Sequence, residues 1–159
     1  MVWDFDGVIC DSAFEAFRLM FATSGHIDSP KAQELDYLYP EFLQYRSSVG
    51  PAWNYFFVAK ALVQGEQLNW HFCSEAEAFE LKFKAERLKF MKDDLSFWCG
   101  FHRFHLPVLN CLRRSRSDRN VVLTNKNIEP VSLLLNNVGL STIKVHSVFG
   151  EKVTKRQFL

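Results

Sequence analysis

Asp4 and Asp6 stand two positions apart at the end of a short apolar stretch, Met1 to Phe5, which Asp6-Gly7 terminates. On an extended chain this spacing turns both carboxylates to one side and Phe5 into the core. Two close carboxylates repel each other unless a cation lies between them or one keeps a proton. The pair therefore suits Mg2+, a hard cation that takes oxygen ligands and few of them from protein. Two further places carry groups that phosphoryl oxygens require. Thr124-Asn125-Lys126 follows the apolar run Val121-Val-Leu, and Lys155 lies shortly after Gly150, so a hydroxyl and an ammonium are on offer.

These residues need elements that bring them together. Met1 to Phe5 predicts a strand. Ser12-Ala-Phe-Glu15 has the spacing of a capping box and predicts a helix over about 12–24, with Gly25 as its stop. Pro51 predicts a first helical turn before Ala52 to Gln64, ended by Gly65. A second capping box, Ser74-Glu-Ala-Glu77, predicts a long amphipathic helix to about Met91, with Lys82, Lys84, Glu86, Arg87 and Lys89 outward. From about 12 to 106 nothing reads as a strand. Pro107 to Arg114 then predicts a helix, and Ser115 to Asn120 a turn. Val121 to Thr124 predicts a buried strand of β-branched type, and Asn127 caps a helix over about 128–138 that Gly139 stops. Ile143 to Phe149 predicts another strand, and Thr154 caps a last helix. Short strands alternating with helices predict a parallel sheet, and in such sheets ligands bind beyond the carboxyl ends of the strands.

The segment Val2-Trp-Asp-Phe-Asp-Gly-Val-Ile-Cys-Asp-Ser12 resembles the first motif of the haloacid dehalogenase-like (HAD) hydrolase superfamily. Val121-Val-Leu-Thr-Asn125 is similar to its second motif. Val138-Gly-Leu140, Val148-Phe-Gly150 and Lys155 resemble the approach to its third, which supplies a lysine; Lys152 is the alternative. The resemblance implies an α/β fold: a Rossmann-like core from about 1–13 and 107–159, with an all-helical cap inserted over 14–106. It also implies a Mg2+-dependent phosphatase working through an aspartyl-phosphate on a small phosphorylated metabolite. Asp4 would be the nucleophile and Asp6 the general acid and base. Thr124, Asn125 and Lys155 would hold the phosphoryl group, and Asp4 with Asp6 the metal. An acid at Asp6 favours a phosphatase or phosphomutase over a true dehalogenase. The rival reading is a non-catalytic HAD-fold protein that binds a phosphorylated ligand or a partner.

One departure qualifies the resemblance. The family's acidic fourth motif has no counterpart, so the chain is expected to be C-terminally incomplete, with an uncovered strand-one edge and poor solubility. With no third acid, Asp4 and Asp6 are expected to repel with little compensation, and residues 1–159 alone to show weak metal binding and little activity.

Composition sets the outer limits. The 159 residues are 48% apolar and 23% charged, with sixteen Phe, which points to an ordered domain with a large aromatic core. There is no apolar run of about 18 residues and no basic-then-apolar start, so neither a membrane span nor a secretory signal is predicted. Cys10, Cys73, Cys99 and Cys111 form no CxxC pair and predict reduced, buried thiols in a cytoplasmic protein. Net charge is +1, but residues 1–100 hold 9 Lys/Arg and 15 Asp/Glu while residues 101–159 hold 10 and 3. The cluster Arg113, Arg114, Arg116 and Arg119 lacks interleaved aromatics, so a solvated loop is expected and not a nucleic-acid surface. For His102 and His105 no carboxylate or thiol is arranged to complete a metal shell, and Arg46, before a Gly-Pro turn, is expected to be an ordinary surface arginine, with contact to a leaving group as the alternative. The sequence leaves the oligomeric state open.

Overall fold

A computed structural model of the chain describes residues 1–115, 120–124 and 126–147. The first elements are β1 (Val2–Asp4), β2 (Cys10–Asp11), α1 (Ala13–Thr23), a 3-10 turn (Asp36–Leu38) and α2 (Tyr39–Arg46). Then come α3 (Asn54–Gln64), α4 (Ser74–Asp93), α5 (Leu95–Gly100), β3 (Arg103–Phe104) and α6 (Leu106–Arg114). The series closes with β4 (Val121–Thr124), α7 (Ile128–Asn137) and β5 (Lys144–Ser147). The chain packs as two units, Met1–Ser12 with His102–Leu159, and Ala13–Phe101.

The first unit is mixed α/β and carries a three-stranded parallel sheet in the order β1-β4-β5. Its register sets Val2 beside Val121, Asp4 beside Leu123, and Thr124 beside Ser147. The β-branched and aliphatic residues of β4 make this its central strand among the described residues, with Val122 and Leu123 buried. α7 buries Val131, Leu134 and Leu135. It ends where Gly139 takes a φ of +76° and lets the Leu140 N–H reach the Leu135 carbonyl at 2.8 Å. Leu140 and Ile143, both buried, then lead into β5.

Beyond β1 the chain folds back within a few residues. Gly7, at a φ of +80°, donates to the Cys10 carbonyl, and Ile9 and Cys10 both donate to Phe5. A side chain at position 7 would have open space but a left-handed backbone, so the preference for glycine there is conformational. The returning segment forms β2, which pairs antiparallel with β3.

The second unit is helical, with an aromatic core. The Phe17 ring lies 5.0 to 5.3 Å from those of Phe21, Tyr39 and Phe42, all edge-on. Tyr55 stacks on Phe83 at 5.3 Å. Edge-on and offset contacts suit the ring quadrupoles, which is where many of the phenylalanines are used.

Several sequence expectations need correction. Arg87 does not point outward: it is buried and pairs with Glu15. The segment 12–106 is not strand-free, since β3 lies within it; two-residue strands leave no periodicity to detect. α3 begins at Asn54, because Pro51, Ala52 and Trp53 form a preceding turn that their carbonyls close. Ser74 is the first residue of α4, with Cys73 at the cap position, and its hydroxyl donates to Glu75. The cysteines are free thiols, but only Cys10 is buried: Cys73 and Cys99 are half-buried, and Cys111 is exposed.

Candidate functional site

The carboxyl ends of β1 and β4 gather the polar groups of the first unit. Phe5 is fully buried and meets Phe104 edge-on at 6.5 Å, which anchors the backbone between the two acids. Asp4, the last residue of β1, and Asp6, just past it, are by contrast both half-buried. Asp6 is then fixed from two sides. The Ser12 hydroxyl donates to its Oδ1. The Lys126 ammonium lies 3.2 Å from the same oxygen and 5.9 Å from the centre of the Phe5 ring.

Lys126 is the junction of three strand ends. Its backbone N–H donates to Thr124 Oγ1 at 3.0 Å, a local turn of the kind Thr side chains favour. Its carbonyl accepts from Ser147 Oγ, at the end of β5, at 2.7 Å. Its side chain reaches Asp6, just past β1. The residue is 8% exposed, so its charge is poorly screened by water. Thr124 itself is fully buried at the end of β4, one position beyond the residue level with Asp4. Its hydroxyl accepts from Lys126 and keeps its own proton for another acceptor.

The structure brings Asp6 and the Thr124 turn together through Lys126, and it places Asp4 at the end of the neighbouring strand. Asn125, Lys155 and Lys152 lie outside the described residues, as do Arg116 and Arg119. The expectation that the acid pair is left with little compensation does not hold, because Lys126 supplies a positive charge at Asp6. Lys126, Ser12 and Ser147 were not selected from sequence as site residues. Their signal was present only as position: Lys126 closes the strand-end triplet, and Ser12 follows the acidic segment.

Other candidates fall elsewhere. His102 is buried before β3 and His105 caps α6, its N–H bonded to the Ile9 carbonyl, so the two do not share a helix face. Arg113 and Arg114 are exposed in the last turn of α6, and Arg113 donates to the Val138 carbonyl. Arg46 ends α2 in the helical unit. No helix among the described residues is long and apolar enough to cross a membrane.

The donor set at β1 can be tested against Mg2+. Carboxylate and backbone oxygens are the ligands it takes, and one or two carboxylates are what it asks of a protein. Asp4 and Asp6 fit in kind. Among the described residues no group of three His, Cys, Asp or Glu is arranged for a metal, so any cation here would keep much of its water.

Set against known protein families, curated proteins and solved structures, the chain matches none.

Proposed function

We propose that this chain is a phosphatase of HAD type, a Rossmann-like core interrupted by a helical cap, acting on a small phosphorylated metabolite. One observation carries the reading: Asp6, Thr124 and Lys126 are tied together where parallel strands end, with Asp4 on the adjoining strand. Open parallel sheets bind ligands at that edge, and acid, hydroxyl and ammonium are the groups phosphoryl transfer uses.

In this reading Asp4 attacks phosphorus, and the bond to the leaving oxygen breaks as the aspartyl-phosphate forms. Asp6 gives the leaving oxygen its proton, then takes one from the water that hydrolyses the intermediate. Ser12 and Lys126 keep Asp6 turned toward that position. Thr124 can donate its hydroxyl proton to a phosphoryl oxygen while accepting from the Lys126 N–H. Asn125 and Lys155 complete the phosphoryl contacts suggested by the motifs. Mg2+, held by the Asp4 carboxylate and by Asp6, would offset phosphoryl charge when bound.

The test is hydrolysis of p-nitrophenyl phosphate with millimolar Mg2+, with calorimetric binding of inorganic phosphate beside it. Slow turnover that Asp4→Asn abolishes is expected. Phosphate binding without turnover favours the non-catalytic reading, in which the same site holds a phosphorylated ligand. Neither binding nor turnover overturns both.

A further inference from the structure

Asp6 carries its own cation, the Lys126 ammonium. We propose that Lys126 is the resident counterion of Asp4 and Asp6, and that it holds down the affinity of this site for divalent cations. The inference rests on that part of the proposed function which makes Asp4 and Asp6 the cation-facing acids, and it does not depend on turnover.

An exposed lysine would swing aside for an incoming ion at little cost. This one is 8% exposed, with its N–H on Thr124 Oγ1 and its carbonyl on Ser147 Oγ. Backbone bonds on both sides of the residue tie its position to the ends of β4 and β5. Its ammonium reaches Asp6 Oδ1 at 3.2 Å, and the Ser12 hydroxyl is on that same oxygen. A doubly charged ion at the acids therefore meets a single positive charge within a few ångströms, in a place where water screens poorly. It must either accept that repulsion or displace the ammonium from Asp6. Both routes weaken binding. Lysine is suited to the role, since a compact ammonium supplies charge without the planar grip of a guanidinium.

The experiment is isothermal titration of Mn2+ and of Mg2+ into the 159-residue chain. It compares wild type with Lys126→Gln, Lys126→Met and Lys126→Arg, each checked for wild-type circular dichroism. The two neutral variants are expected to bind Mn2+ about tenfold tighter or more. Lys126→Arg keeps the charge and is expected to stay within about threefold of wild type. The gain should vanish when Asp4→Asn or Asp6→Asn is added to Lys126→Gln. Neutral variants that bind no tighter, or more weakly, overturn the proposal, as does a gain that survives loss of both acids. Tightening without any phosphatase activity sinks the enzymatic reading and leaves this one standing. Turnover with no tightening does the reverse.

Discussion

Glu15 is fully buried, and Arg87 and Trp98 reach it from other helices of the helical unit. Arg87 donates to Oε1 at 2.6 Å and to Oε2 at 3.0 Å, and Trp98 Nε1 donates to Oε1 at 3.2 Å. The Arg87 guanidinium also lies over the Phe83 ring at 4.8 Å. A buried ion pair adds little net stability over an apolar pair of the same shape, but breaking one strands the other charge. Glu15→Gln and Arg87→Met are therefore each expected to destabilise the fold by about 3–5 kcal/mol. The double variant should lose less than the sum of the two. Urea unfolding followed by tryptophan fluorescence measures all three. Additive losses would mean that the two side chains do not act as a pair.

At the scale of elements, the boundary between α4 and α5 is set by one residue. Asp94 gives its N–H to the Phe90 carbonyl, closing α4, while its Oδ1 accepts from the Phe97 N–H at 3.1 Å, opening α5. The Lys31 ammonium sits 2.6 Å from its other carboxylate oxygen. Lys31 first, and then the Phe97 N–H, hold the Asp94 carboxyl below its ordinary value. A depressed carboxylate stabilises the fold fully above its unfolded value of about 3.9. That contribution is lost as pH falls through the lower folded value. Asp94→Asn should lower stability near neutral pH and flatten the acid dependence below about pH 4. Because the group is exposed, added salt should shrink the difference. Thermal melts across pH and salt read both effects. A variant that melts with the wild-type pH slope would show that the cap carries no linked proton.

For the whole molecule, the division into units has a direct consequence. Ala13–Phe101 contains its own aromatic core, the Glu15–Arg87–Trp98 network and the Arg18–Asp36 pair. Expressed alone, this segment is expected to keep a helical circular-dichroism spectrum and to unfold cooperatively in urea. A broad, non-cooperative transition would show that its core is not self-sufficient. The sequence by itself determined the parts that depend on neighbours along the chain. The apolar-then-Asp pattern of residues 1–6 and the apolar run Val121–Leu123 marked β1 and β4, and the Gly139 stop marked the end of the crossover helix α7. Spacing alone put Asp4 at the end of its strand and Asp6 just past it. Local rules of this kind need no partner, which is why they could be read. Capping boxes were less dependable, because Ser12 and Glu15 fit the pattern while the fold turns Ser12 to Asp6 and Glu15 to Arg87. Only the tertiary structure decided that Arg87, on the charged-looking α4, is buried, since its match, Glu15, lies on another helix. The same holds for Lys126, one lysine among many by sequence. Its role follows from parallel pairing, which carries the ends of β1, β4 and β5 to one edge and puts its ammonium on Asp6. Charge partners that meet across elements leave no periodic trace in a sequence, so the pairings at Lys126 and at Arg87 could be found only in the folded chain.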